Sequence, residues 1–189
     1  LNVKLSYARA DSFMSFSLVA DREFRRFTEI TPEYLNNNGI TLLLADLDNT
    51  LAERSSHAPT DEVRRWKSAL GAAGIRLMVV SNNRSGERVE NYCRDLGIPY
   101  IGHAGKPGGR GIRRAMELAG AGAGETALVG DRVTTDVLGA NRCGITSYIV
   151  RQVGGLKSPW HRLCYTLQLP FRLPARKRRR EEAEKEGKA

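Results

Sequence analysis

Asp46 and Asp48 stand one residue apart in the stretch TLLLADLDNTLA, residues 41–52. The apolar and β-branched residues before them have the character of a strand buried on both faces. A buried carboxylate without a partner is costly, and two like charges side by side are worse. A positive group must therefore sit between or beside them. A hard divalent cation such as Mg2+ takes oxygen ligands and keeps some of its waters, so it meets that need. A phosphate bound in the same place would also account for nearby hydroxyl, backbone N–H and lysine groups.

Such residues act together only if the chain brings them to one place. The first strand spans about 41–47, after a short helix that Thr31 caps, Pro32 opens and Gly39 ends. Thr60 caps a helix over about 61–73, closed by Gly74, and IRLMVVS at 75–81 is a second buried strand. Ser85 opens a helix to about 96, with Gly97 at its end, and IPYIG is a short third strand. A helix over 108–118, a strand at 126–130, a helix over 134–142 and a strand at 145–150 follow. Strands alternating with helices in this way predict an α/β fold, a five-stranded parallel sheet with helices on both faces. Ligands of such sheets bind beyond the carboxyl ends of the strands. That rim collects Asp46 and Asp48 after strand one, Ser81 and Asn82 after strand two, and Asp131 after strand four. Lys106, in the loop after strand three, reaches the same rim.

Other chemistries fit poorly. DLDNTL begins like a calcium loop, but Leu51 stands where glycine is needed and His57 where the closing glutamate belongs. GKPGGRG lacks Walker spacing, and no G-x-S-x-G elbow is present. His57, His103 and His161 have no metal-ligand spacing, and Cys93, Cys143 and Cys164 form no C-x-x-C pair. The cysteines read as reduced packing residues, which fits a cytoplasmic setting.

The 189 residues suit one domain with extensions, and 41% hydrophobic residues can form a core without disulfides. The net charge of +9 favours an anionic partner, and much of the excess lies in RLPARKRRR, residues 172–180. This run is expected to be a solvated tail, frayed or disordered from Arg176 onward, with docking to RNA or an anionic membrane as the other reading. No aromatic residue interleaves the arginines, so base stacking is not indicated. Phe13, Phe16, Val19, Phe24, Phe27 and Ile30 recur mostly at spacings of three, which predicts a helix-like arm on the core. Recognisable organisation begins just after Met14, the expected start of translation. The expected divisions are an N-terminal extension at 1–17, a catalytic domain at 18–153 and a C-terminal wrap with basic tail at 154–189.

Four segments, in order and each at a strand end, now carry a family resemblance. DLDNT, VVSNN, KP and GDRVTTD resemble the four motifs of the haloacid dehalogenase-like (HAD) phosphatases. ITPEYL and GDRVTTDVLGANRCG resemble the class IIIA group typified by the bacterial YqeG proteins, and also the mitochondrial phosphatidylglycerophosphate phosphatases. The resemblance covers about residues 18–153. It implies a HAD-like Rossmannoid fold and a Mg2+-dependent phosphatase working through an aspartyl-phosphate. Asp46 would be the nucleophile and Asp48 the acid, then the base. Asp46, the Asp48 carbonyl and Asp131 would hold the metal, with Asp136 and Thr50 in support. Ser81 and Asn82 would donate to the phosphoryl group, and Lys106 would neutralise charge.

About 30 residues separate Thr50 from Ser81, and one helix and one strand also fill Asn83 to Lys106. Neither interval has room for a large cap domain with its own core. The rim is therefore expected to be open and to admit a bulky phosphate, phosphatidylglycerophosphate leading by resemblance. A peripheral membrane position goes with that substrate. The alternative is a non-catalytic protein that contacts RNA or anionic membrane through its basic tail.

Overall fold

The computed structural model describes residues 16–83, 85–155 and 159–186, without the side chains of 160, 161, 164, 185 and 186. Phe13 and Met14, and the side chains of His161 and Cys164, lie outside that description. The sheet contains β1 (Arg22–Glu23), β2 (Leu42–Ala45), β3 (Arg76–Val80), β4 (Tyr100–Ile101), β5 (Thr126–Gly130) and β6 (Thr146–Ile149). Their order is β1-β6-β5-β2-β3-β4, and every pairing is parallel. The helices are α1 (Pro32–Asn37), α2 (Asp61–Ala72), α3 (Gly86–Leu96), α4 (Arg110–Ala119), α5 (Leu138–Arg142) and α6 (Pro159–Glu186).

Alternation along the central strands sorts side chains into two cores. Leu43 and Ala45 of β2 join Val63, Trp66 and Leu70 of α2 and Val89, Tyr92 and Leu96 of α3. Leu42 and Leu44 face the other way, toward Ile112 and Ala115 of α4 and Ala140 of α5. Helices thus cover both faces, as the unbroken apolar strands require. Local signals set the helix ends: Thr31 accepts from the Tyr34 N–H and Thr60 from the Val63 N–H, while Gly97 and Gly120 take left-handed conformations.

Four expectations need correction. The sheet has six strands because β1 adds to the edge of β6. Residues 13–30 were expected as a helical arm, but the described part is β1 followed by a 3-10 turn at Phe27–Glu29. The spacing of Phe27 and Ile30 comes from that turn, which has about three residues per turn, while Phe24 directly follows β1, and all three are buried. Hydrogen bonds from Asp21 N to Ser147 O and from Phe24 N to Ile149 O, each 2.9 Å, fix the strand through a distant partner. The helix expected over 134–142 opens as a π turn at Val133–Val137 before α5.

The fourth correction concerns the basic run, which lies within α6 and is partly docked. Arg172 is 1% exposed, bonds Glu23 Oε1 at 3.1 Å, and donates to Val150 O at 2.8 Å. Arg176 reaches Glu23 Oε2 at 2.8 Å, and Arg179 stacks over Phe24 and Tyr34. The buried carboxylate of Glu23 supplies the counter-charge that a local reading of the run lacks. Removing one partner of a buried ion pair is strongly destabilising. Arg172→Met should therefore lose about 3 kcal/mol of unfolding free energy in urea titrations. Exposed Arg180→Ser should change it by less than about 0.5 kcal/mol. Equal, negligible effects would restore the solvated-tail reading.

Candidate active site

The carboxyl ends of β2, β3 and β5 and the loop after β4 converge on one rim, as parallel topology dictates. Asp46 continues β2 by one residue, with its N–H on Val129 O at 2.9 Å. Lys106 comes from the β4–α4 loop, and its ammonium is 2.8 Å from Asp46 Oδ1 and 2.7 Å from Asp136 Oδ1. Its backbone is held by the Asn82 amide, which donates to Lys106 O at 2.7 Å and accepts from Lys106 N at 2.8 Å. The side chain of Asn82 thus spends its amide on placing Lys106, a role that its expected contact with phosphate did not include. Ser81 is buried and its Oγ accepts from Asn83 N at 3.1 Å.

Asp46, Asp131 and Asp136 each place a carboxylate oxygen within 4.8 Å of the others, and all three are buried. Asp136 was expected only beside this group, yet it is a full member of it. Asp131 accepts from Gln152 Nε2 at 2.7 Å, and Arg132 Nε stands 3.9 Å away. Asp136 accepts from Arg132 N at 3.1 Å. Gly130 leaves room for it, since a Cβ there would lie 2.3 Å from the Asp136 carboxyl carbon. Asp48 is held separately: Arg88 Nη1 bonds Oδ1, and Asn83 Nδ2 donates to Oδ2 at 2.7 Å.

Asp46, Asp48, Ser81, Asn82 and Lys106 line one pocket of about 120 Å³, with Arg54, Arg132 and Thr135 also on its wall. Thr50 is fully buried, and its hydroxyl has no hydrogen-bond partner among the described residues. Arg88, Asn83 and Gln152 were not singled out from sequence. Arg88 lies in the first turn of α3 with no local signature, and Gln152 reaches Asp131 only because β6 neighbours β5.

The electrostatics show what this cluster lacks. Burial pushes the Asp46 carboxyl up to about 6; Lys106 opposes the shift, while Asp136 and Asp48 add to it. Burial pushes Asp131 up to about 7, with Asp136 and Asp46 reinforcing it. Burial disfavours the Lys106 ammonium, but Asp136 and Asp46 more than offset this and hold its pKa above the ordinary value. Three buried carboxylates share one buried ammonium, an arrangement of oxygen donors that fits a hard divalent cation.

Raised folded-state pKa values make the metal-free protein hold protons that the unfolded chain, with carboxyls near 3.8, has lost. The stability this contributes is complete below about pH 4 and is lost as pH rises through about 6 to 7. In EDTA, Asp131→Asn should therefore gain in Tm over the wild type as pH is raised from 5 to 8. Mg2+ should raise the wild-type Tm most at the alkaline end and the variant's least. A Tm difference that is flat with pH would contradict the assigned cause.

Comparison with known proteins agrees with this geometry. A family model described as HAD-hydrolase-like matches residues 103–160. Over 130 residues the chain is 35% identical to the "Probable phosphatase YqeG" of Bacillus subtilis (strain 168), a match covering 69% of this chain and 75% of that one. Among solved structures, the cobalt-bound deoxy-D-mannose-octulosonate 8-phosphate phosphatase YrbI of Haemophilus influenzae superposes with a TM-score of 0.51 at 18% identity. That match covers 73% of this chain and 92% of that one. A hypothetical protein of Xanthomonas campestris superposes with a TM-score of 0.52 at 16% identity, over 72% and 76% of the two chains. These two likenesses show the shared fold. With the extended identity to YqeG, the chain belongs to the HAD-like hydrolases of the YqeG type, and it is a phosphoric monoester hydrolase.

Proposed function

We propose that the protein is a Mg2+-dependent phosphatase that hydrolyses a bulky phosphomonoester through an aspartyl-phosphate on Asp46. The observation that carries this reading is the Asp46 carboxylate, pinned by Lys106 at 2.8 Å on a pocket whose wall includes Asp48 and Ser81. In the first half-reaction an Asp46 oxygen attacks phosphorus, and the bond from phosphorus to the leaving oxygen breaks. Asp48 gives that oxygen its proton. In the second, water attacks the phosphorus and loses a proton to Asp48. The bond to Asp46 then breaks, releasing inorganic phosphate. Ser81 and the backbone N–H of Asn82 would donate to the phosphoryl oxygens, and Lys106 fixes the nucleophile and offsets negative charge. Asp46, Asp131 and the Asp48 carbonyl would hold magnesium, with Asp136 as a further carboxylate beside them and Thr50 supporting the loop. Bound there, the ion supplies positive charge against the phosphoryl oxygens.

The open rim and the family resemblance support a bulky substrate. Among the described residues no second domain is inserted over the rim, so a phosphate on a large or membrane-borne group can approach. Phosphatidylglycerophosphate is the leading lipid on resemblance. Purified protein with Mg2+ should hydrolyse an aryl phosphate, and faster still a phosphatidylglycerophosphate in mixed micelles. Asp46→Asn should lower kcat by several orders of magnitude on both, and Lys106→Met by about 10²- to 10³-fold. Turnover of soluble esters with lipid phosphates untouched would remove the lipid reading. Full activity in Asp46→Asn would remove the mechanism.

A peripheral position at an anionic membrane is supported by α6. No helix among the described residues is long and apolar enough to cross a membrane. Yet Leu163, Leu167 and Leu173 are 49%, 65% and 53% exposed on this one helix. At 100° per residue they fall within about 120° of arc, the width of an interfacial apolar stripe. Lys177 and Arg180 are exposed further along. Leu167→Glu should reduce co-sedimentation with phosphatidylglycerol vesicles and leave aryl-phosphate turnover intact. Unchanged sedimentation would exclude this surface, and binding to RNA but not vesicles would favour the non-catalytic contact.

A further inference from the structure

Arg88, the third residue of α3, is a cation beside the reaction site that the mechanism above does not use. Its side chain is 9% exposed, and that of its partner Asp48 is 18% exposed. All three guanidinium nitrogens are engaged. Nη1 bonds Asp48 Oδ1, Nε donates to Ser56 O at 3.1 Å, and Nη2 donates to Glu53 O at 3.0 Å. Asn83 completes the arrangement by taking the other Asp48 oxygen at 2.7 Å. The carbonyls of Glu53 and Ser56 flank Arg54, which lines the pocket. One planar group therefore ties α3, the pocket-wall segment 53–56 and the Asp48 carboxylate together.

We infer that Arg88 is the positioning residue for Asp48, fixing where its carboxylate meets the leaving oxygen and holding the 53–56 segment in step with it. This inference rests on the proposed acid role of Asp48. An aspartate that must give a proton in one half-reaction and take one in the next needs a fixed place relative to both oxygens. Misplacement by about an ångström removes much of the advantage of proximity. The fork geometry of arginine suits this task, because it can hold a carboxylate and two carbonyls at once in one plane. A lysine offers a point charge and cannot span all three.

The leaving group separates positioning from mere structural support. kcat/KM reports events up to the first irreversible step, here the transfer of the phosphoryl group to Asp46. Phenolate is a poor leaving group that needs a proton, whereas p-nitrophenolate leaves well without one. With Mg2+ present, Arg88→Met should lower kcat/KM on phenyl phosphate about 10- to 100-fold and on p-nitrophenyl phosphate about 3-fold or less. Arg88→Lys should fall between the wild type and Arg88→Met, and it serves as the readable variant if Arg88→Met does not fold. Equal losses on both esters, or no loss on either, would overturn the inference. Asp48→Asn is measured alongside. If it sorts the two esters by leaving group and the Arg88 variants do not, the positioning role alone falls. If Asp48→Asn does not sort them, the acid role falls and takes this inference with it.

Discussion

Three buried carboxylates against one buried ammonium is the constraint on which the rim of this protein depends. Asp46, Asp131 and Asp136 crowd three carboxylates into a desolvated cluster in which Lys106 is the buried cation and half-exposed Arg132 stands 3.9 Å from Asp131. Much of the surrounding structure serves to place that ammonium and to make space for those acids. The Asn82 side chain grips the Lys106 peptide from both sides, and Gly130 yields its side-chain volume to Asp136. The π turn at Val133–Val137 brings Asp136 inward five residues after Asp131. A parallel sheet supplies the common edge where all these segments end.

A second buried charge centre shows a different balance. Glu23 is met by Arg172 and Arg176, so one carboxylate has two guanidinium partners. That group closes on itself and fastens α6 to β1. It asks for no further ion, and its role is architectural. The rim cluster is under-compensated by the protein and therefore has chemistry left to do. The contrast separates a functional site from a structural ion pair by charge count and donor type, without reference to any motif.

The central strands were legible because each is a continuous apolar run that both faces bury. Leu42–Ala45, Arg76–Val80 and Thr126–Gly130 lie close to where their composition puts them. The rim followed from those strands, so Asp46, Asp48, Ser81, Lys106 and Asp131 could be gathered before any coordinates. What stayed hidden depends on contacts between distant segments. β1 is two residues long and exists through pairing with β6. The docked arginines of α6 need Glu23, about 150 positions earlier in the chain. Arg88 has the spacing of an ordinary helical residue, and only the fold, which brings the start of α3 to the loop after β2, reveals its partner. Prolines 170 and 174 inside α6 further masked that helix, because they ordinarily break one.

The central claim is that Asp46 takes the phosphoryl group before water does. Rapid acid quench of the protein with Mg2+ and a labelled aryl phosphate, followed by peptide mapping, tests it most directly. Label is expected on the peptide carrying Asp46, as an acid-stable species that hydroxylamine releases, and none in Asp46→Asn. Label on any other residue, or steady turnover with no covalent label at any quench time and in the Asp48→Asn variant as well, would contradict it.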